Sequence, residues 1–137
     1  MATRRLAFIV KSLPYKTEAS RLALTHAIAS QSVEIYLENG DMVEPVIAFI
    51  GDGVLNCLKN QEAMSIYGVT SIEQHIRIAL FLDLKVLICR EDIEAFGISE
   101  DSLIMDAEEL EGGTKAQIIT FDEIKKEMES SDHLLFF

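Results

Sequence analysis

Short, uninterrupted apolar runs alternate with helical patterns along this chain of 137 residues. Strands that are buried on both faces have this composition, and the clearest runs are Leu6–Val10, Val46–Ile50 and Lys85–Ile88. Strands that alternate with helices indicate βαβ units, which build a parallel sheet with helices packed against it. The sequence therefore predicts an α/β fold, a three-layer sandwich around a mainly parallel sheet, in a single domain over residues 1–137.

Capping residues predict where the longer helices begin. Thr17 precedes a helix predicted from Glu18 to about Leu37, and Ser71 precedes a helix that leads into the third strand. Thr120 precedes a last helix over Phe121–Glu129. Weaker patterns predict a turn at Asn39–Asp41, a helical segment at Val54–Leu58, a helix at Arg90–Phe96, a short strand at Leu103–Met105, a loop at Glu108–Gly113, a strand or loop at Ala116–Ile119, and a closing strand at His133–Phe137.

Composition and charge exclude several classes of protein. The formal net charge of −11 argues against a general nucleic-acid or acidic-membrane surface and permits a basic protein partner. No apolar run approaches the roughly 18 residues of a membrane span. Lys11 interrupts the first apolar run, which therefore indicates a strand rather than a signal peptide. Two cysteines give no disulfide framework, so we expect a protein of the reducing cytoplasm.

Cys89 is the candidate catalytic residue. It directly follows the predicted strand Lys85–Ile88 and precedes a predicted helix, and ligands in open α/β sheets collect where strands end. A helix N-terminus favours the thiolate, which is the nucleophilic form of cysteine. Arg90 would strengthen that effect, whereas Glu91 and Asp92 would oppose it, so the direction of the pKa shift stays open. A free cysteine that is simply a small core residue is an equally good interpretation.

Other constellations carry weaker signals. Gly51–Gly53 follows a strand, but the later residues of a Rossmann or P-loop motif are missing, so a tight turn is the stronger interpretation. His26, His75 and His133 lack the spacing of metal ligands, and no G-x-S-x-G motif indicates a serine hydrolase. Nothing near Cys57 marks it as reactive, although a redox partnership with Cys89 is conceivable. We expect neither a metal nor a bound cofactor.

Four segments, taken in order, point to a known family. The N-terminal LAFIVKSLPYKTEASRLALTHAIA gives a strand, a Pro-containing loop and a long helix, and Ile47–Gln61 (IAFIGDGVLNCLKNQ) gives a strand, a DGV motif and a Gln. The segment LKVLICREDIEAFGIS places Cys89 after a strand, and SDHLLFF is an apolar closing segment. Together they resemble the DsrE/DsrF/DsrH sulfur-relay family, also described as TusB/TusC/TusD-like, and lie nearest its DsrF/TusC branch.

The resemblance implies a DsrE/DsrF-like domain with a flavodoxin-like sheet of about five strands. It implies a sulfur-relay role in which a cysteine accepts sulfur as a persulfide and passes it on, and it assigns that role to Cys89. The DsrF/TusC branch serves mainly as companion subunits, so the alternative is a non-catalytic assembly subunit with a buried, inert cysteine. A small-molecule or nucleotide-binding module of flavodoxin-like fold is a third possibility.

The same resemblance implies partners. We expect a homo-oligomer, a trimer or hexamer, or a hetero-oligomer with related DsrE/DsrH-like subunits, together with sulfur donor and acceptor proteins. No direct contact with nucleic acid or membrane is expected. The apolar residues Leu134–Phe137 agree with an oligomer interface, and a buried central strand would explain them equally well.

Overall fold

The computed structural model describes residues 3–32 and 42–137. Within them, five parallel strands form one sheet in the order β4-β3-β2-β1-β5. The strands are β1 (Thr3–Val10), β2 (Met42–Phe49), β3 (Lys85–Cys89), β4 (Gln117–Ile119) and β5 (His133–Phe136). The predicted parallel α/β fold is confirmed. The predicted turn at Asn39–Asp41 and the end of the first helix lie outside the described residues.

Helices cover the sheet. They are α1 (Ala19–Ser32), α2 (Ala63–Tyr67), α3 (Ile72–Phe81), α4 (Arg90–Ala95) and α5 (Phe121–Glu129), with 3-10 segments at Gly51–Cys57, Glu100–Ser102 and Glu108–Leu110. Helices α1 and α3 contact each other and therefore lie on the same face of the sheet. The chain steps from β1 to β4 in one direction and then returns across the sheet to β5. Because such crossovers are right-handed, α5 lies on the opposite face.

The predicted strands form the centre of the core. The second halves of β1 and β2 and nearly all of β3 are buried, as expected for strands covered on both faces. Two predicted caps are present: Ser71 Oγ accepts a hydrogen bond from Glu73 N, and Thr120 forms a capping box with Glu123. Thr17 Oγ1 accepts from Ala19 N, so α1 begins one residue later than the sequence predicts.

Three weaker predictions differ from the structure. The predicted helical segment Val54–Leu58 belongs to the 3-10 segment Gly51–Cys57. The predicted strand Leu103–Met105 forms only an isolated antiparallel bridge, between Leu103 and Leu58. Its apolar composition reflects burial rather than strand pairing, because Leu103 and Ile104 are fully buried against the core. The predicted loop at Glu108–Gly113 contains a 3-10 turn, and the ambiguous segment Ala116–Ile119 supplies β4.

Strand β5 lies at the edge of the sheet, beside β1. Its apolar side chains remain exposed, with Leu134 at 41%, Leu135 at 40% and Phe136 at 55% of their full accessibility. The interpretation of this segment as a buried central strand is therefore wrong for the isolated chain. In the part of the chain that the structure describes, no helix has the length and apolar character needed to cross a membrane.

Candidate functional site around Cys89

Cys89 ends β3 and lies directly before α4, at the carboxyl edge of the sheet. This is where the sequence places it, because the apolar run ends here and the first turn of a helix follows. The residue is only 1% exposed, and its neighbours in β3 are fully buried. The thiol therefore occupies the position of a site residue and, at the same time, has the burial of a core residue.

Two carboxylates lie beside the thiol. Cys89 Sγ donates a hydrogen bond to Glu91 Oε1 at 3.9 Å, and the Asp92 carboxylate is also among the groups that act on the thiol. Burial, followed by these contacts with Asp92 and the negative charges of Asp92 and Glu91, raises the pKa of Cys89 to about 11. The backbone N–H of Asp92 favours the thiolate but is outweighed. The helix N-terminus thus does not produce a reactive thiolate in this conformation.

Arg90 does not offset the carboxylates. Its guanidinium donates to Ile118 O at 3.1 Å and lies 3.9 Å from a carboxylate oxygen of Glu100. Both contacts hold the positive charge away from the thiol, and Arg90 is not among the groups that shift the pKa of Cys89. The sequence alone leaves the direction of the pKa shift of Cys89 open. The direction in which the Arg90 side chain points decides it, because the guanidinium does not act on the thiol.

The first turn of α4 is fixed by hydrogen bonds to two other elements. Asp92 Oδ2 accepts from Gly51 N at 2.7 Å, which joins α4 to the turn after β2. Glu91 accepts from Phe121 N, at 2.9 Å to one carboxylate oxygen and 3.2 Å to the other, which joins α4 to the start of α5. The carboxylates that keep Cys89 protonated are therefore held in place by backbone donors.

Gly51–Gly53 forms the tight turn that the sequence favours. Gly51 has a φ of 54°, in the left-handed region, and a Cβ at Gly53 would lie 2.0 Å from Val10 O. The N–H of Gly51, which would face a phosphate in a nucleotide-binding loop, instead donates to Asp92. The first glycine gives the turn its backbone geometry, and the second lets it pack closely on the end of β1.

Gln61 organises the loops beside this site, and sequence reasoning did not identify it as a site residue. Its side-chain amide donates to Asn56 O and Leu58 O, both at 2.8 Å, and its backbone N–H donates to Glu73 Oε1 at 2.7 Å. Gln61 therefore joins the 3-10 segment after β2 to the start of α3. The available signal was its place at the end of the segment Ile47–Gln61, which carries the family resemblance.

Tyr15 connects the Pro-containing loop to the same network. Its hydroxyl is hydrogen-bonded to Gln61 Oε1 and accepts from Ile72 N at 2.8 Å, which satisfies a free N–H at the start of α3. Its ring stacks on Tyr67, with centroids 5.1 Å apart. Tyr15 has a φ of 65°, a sparsely populated conformation for a residue other than glycine. These contacts hold the loop in that conformation.

Loss of the Tyr15 hydroxyl is expected to destabilise the fold. In Tyr15→Phe, the Ile72 N–H and Gln61 Oε1 lose a partner in a half-buried site, which costs about 1–3 kcal/mol in free energy of unfolding. Tyr67→Phe is the matched control, because it keeps the stacked ring and removes a hydroxyl without a hydrogen bond in the described residues. Urea denaturation measures both variants, and equal stabilities would contradict the role given to Tyr15.

The remaining candidate residues do not gather around Cys89. Cys57 is a free, fully buried thiol in the 3-10 segment, and burial raises its pKa strongly. His26 lies in α1, His75 in α3, and His133 begins β5. Across residues 3–32 and 42–137, no three His, Cys, Asp or Glu side chains are grouped in a way that would hold a metal ion.

A groove of about 480 Å³ lies between α5 and strands β3 and β4, and Cys89 does not line it.

Comparison with known proteins agrees with this architecture and identifies the family. A sequence model of the DsrE/DsrF-like family matches residues 4–137. This chain belongs to the DsrE/DsrF-like family. It is 29% identical over 106 residues to a protein named TusC homolog from Aliivibrio fischeri, covering 77% of this chain and 83% of that protein. A TusC homolog from Vibrio parahaemolyticus is 26% identical over 137 residues, covering 97% and 98%.

Solved structures with the same fold superpose on the chain. The crystal structure of the ychN protein from E. coli aligns with a TM-score of 0.70 at 21% identity, covering 98% of this chain and 99% of that one. MTH1491 from Methanobacterium thermoautotrophicum, a protein of unknown function, aligns with a TM-score of 0.57 at 14% identity, covering 95% and 96%. At these identities the likeness establishes the fold alone.

Proposed function

We propose that this chain is a sulfur-relay protein of the DsrE/DsrF-like family that acts as an assembly subunit, with Cys89 as a buried, protonated thiol. Family membership and the similarity to proteins named TusC homolog support the sulfur-relay role. The observation that carries the assignment as an assembly subunit is the environment of Cys89, which is 1% exposed and lies beside two fixed carboxylates. Those features disfavour a sulfur-accepting cysteine.

The chemistry explains why this environment matters. To accept sulfur, a cysteine thiolate attacks the outer sulfur of a donor persulfide, a new S–S bond forms, and the donor thiolate leaves. With a pKa of about 11, Cys89 is ionised in roughly one molecule in ten thousand at pH 7. The donor must also reach a sulfur that is buried at the end of β3. The small thiolate fraction and the burial of the sulfur thus both oppose sulfur transfer to Cys89 in the isolated chain.

A second candidate function is that of persulfide carrier, with Cys89 as its nucleophile. The observation in its favour is the position of Cys89 at the carboxyl end of β3, with the N–H of Asp92 stabilising the thiolate form. In this alternative, the first turn of α4 moves, exposes the sulfur and separates it from Glu91 and Asp92. A partner subunit that binds at the carboxyl ends of the strands would have to drive this movement of α4.

The proposed role requires partners. As an assembly subunit, this chain would act in the cytoplasm beside related DsrE/DsrH-like subunits that carry the reactive cysteine and exchange sulfur with donor and acceptor proteins. The exposed apolar strand β5 supports an assembled state, because such an edge is normally covered in a stable protein. The predicted trimer, hexamer or mixed complex is tested by light scattering, and a monomer at micromolar concentration would contradict it.

Thiol labelling tests the proposed function. Iodoacetamide at pH 7.5 is expected to leave both Cys89 and Cys57 of the folded chain largely unmodified, because a buried, protonated thiol reacts slowly. Both should react within minutes once the chain is unfolded in guanidinium. Peptide mass spectrometry distinguishes the two sites, and Cys89→Ser confirms the assignment. Rapid modification of Cys89 in the folded chain would favour the persulfide carrier.

The pH dependence of labelling gives a separate prediction. Because the pKa of Cys89 is raised to about 11, the thiolate fraction is small at neutral pH and increases about tenfold for each pH unit below the pKa. The rate of Cys89 modification is therefore expected to rise continuously from pH 7 to 10 without a plateau. Circular dichroism at each pH verifies that the chain stays folded. A plateau above pH 8 would contradict the raised pKa.

A further inference from the structure

The groove along α5 ends one residue short of Cys89. Its floor is formed by four side chains from two adjacent strands, Lys85 and Leu87 of β3 and Gln117 and Ile119 of β4. We propose that the contact between the Glu91 carboxylate and Phe121 N is a gate, and that the groove becomes the route to Cys89 when this gate opens. The inference rests on the proposed function in one respect, because it takes Cys89 to be a buried thiol.

The side chain of Cys89 points to the groove side of the sheet. Side chains alternate between the two faces of a strand, so Cys89 shares a face with Leu87, which lines the groove. In the parallel pairing of β3 with β4, Cys89 is also paired with Ile119, which lines the groove as well. Successive residues on one face of a strand are about 7 Å apart. Cys89 therefore occupies the next floor position beyond Leu87.

The Glu91 carboxylate lies where the groove would reach the thiol. It accepts from Cys89 Sγ at 3.9 Å and from Phe121 N at 2.9 Å and 3.2 Å. Phe121 begins α5, between Ile119 and Glu123, and both of these residues line the groove. The two partners of Glu91 are thus the buried thiol and the end of the groove, and the carboxylate separates them.

The gate is weaker than the packing behind it. Glu91 is an exposed side chain, and Phe121 is 41% exposed, so water can replace their hydrogen bonds when they separate. Asp92, by contrast, holds the same turn of α4 to Gly51 N through a half-buried hydrogen bond of 2.7 Å. Contacts that are open to solvent break locally, without unfolding of the domain. Opening at Glu91 therefore occurs in a chain that is otherwise folded.

Cys57 provides an internal reference. It is fully buried in the 3-10 segment, between the buried residues Asn56 and the bridge residue Leu58, and its carbonyl accepts from Ile104 N at 2.8 Å. Exposure of Cys57 therefore requires loss of core packing. A comparison of Cys89 with Cys57 in one chain separates local opening from unfolding.

Two substitutions of Glu91 separate the gate from the charge. Glu91→Gln and Glu91→Ala both remove the negative charge, but only the Gln side chain can still accept from Phe121 N. Cys89 of Glu91→Ala is expected to react with iodoacetamide at pH 9 about three- to tenfold faster than Cys89 of Glu91→Gln. Each rate is divided by that of Cys57 in the same chain, which corrects for a change in global stability. Equal ratios in the two variants would overturn the proposal.

A bulky side chain in the groove tests the route. Gln117→Trp fills the groove at an exposed position of β4, away from the Glu91 carboxylate, and is expected to slow labelling of Cys89 several-fold. Lys125→Trp is the matched control, because Lys125 is exposed on α5 and does not line the groove. Its Cys89 should react at the rate of the unmodified chain. If the two variants label at the same rate, the thiol is not reached through the groove.

The dependence on urea provides a measurement without any variant. Below the unfolding transition, the labelling rate of Cys89 is expected to be nearly independent of urea, whereas that of Cys57 should increase with it, because only unfolding exposes a large surface. A parallel increase for both thiols would overturn the gate. Rapid labelling of Cys89 at pH 7.5 would instead contradict the proposed function, so the two failures are distinguishable.

Discussion

Replacing Asp92 by Asn is expected to make Cys89 more reactive while the fold is retained. The substitution removes a negative charge that raises the pKa of the thiol, and the amide oxygen of Asn still accepts a hydrogen bond from Gly51 N. Removal of a charge in contact with a titratable group shifts its pKa by about 1 unit or more, so modification of Cys89 at pH 7.5 should be about tenfold faster. The rate of iodoacetamide labelling measures the effect.

A matched control comes from the same helix. Glu94 is an exposed carboxylate of α4 that is not among the groups shifting the pKa of Cys89, so Glu94→Gln should leave the labelling rate unchanged. Thermal unfolding of both variants verifies that any change in rate is not caused by loss of structure. If Asp92→Asn and Glu94→Gln label at the same rate, the negative charge of Asp92 does not control the thiol.

Gly53→Ala is expected to destabilise the chain strongly. A Cβ at Gly53 would lie 2.0 Å from Val10 O, and both sides of this contact are backbone, so a change of rotamer cannot relieve it. Movement of the turn away from β1 would also disturb the hydrogen bond between Gly51 N and Asp92. Overpacking of this kind costs about 3 kcal/mol or more in free energy of unfolding.

Gly97→Ala measures the cost of the left-handed backbone conformation without a steric clash, for comparison with Gly53→Ala. Gly97 has a φ of 67° with open space around the position of a Cβ, so only the left-handed backbone is penalised. That penalty is about 1–2 kcal/mol. Urea denaturation of the two variants should therefore show a larger loss at Gly53 than at Gly97. A smaller loss at Gly53 would mean that the turn after β2 does not pack on β1 as described.

The sequence predicts the position of Cys89 but not its chemical state. A buried strand followed by a helix is a local pattern, and it locates the thiol at the carboxyl edge of the sheet. The pKa depends on distances from Asp92 and Glu91 and on the direction of Arg90, which are set by contacts with Gly51, Phe121 and Ile118 elsewhere in the chain. A local pattern contains no information about those contacts.

Other features depend on contacts between distant parts of the chain. Tyr15 and Gln61 are separated by 46 residues, so their hydrogen bond leaves no periodic signal in the sequence. The apolar composition of His133–Phe136 predicts a strand, but whether that strand is central or at an edge depends on the strand order of the sheet. Contacts with distant residues also decide the structure of Leu103–Met105. This apolar run is largely buried, but it forms only an isolated bridge and no strand.

Intact-protein mass spectrometry after incubation with a persulfide donor tests the central claim, that Cys89 is an inert thiol in this chain. The folded chain is expected to gain no sulfur, and the unfolded chain, as the positive control, is expected to gain it at its exposed thiols. The central claim is contradicted if the folded chain gains one sulfur atom and Cys89→Ser does not. That result would make this chain the sulfur carrier of its relay.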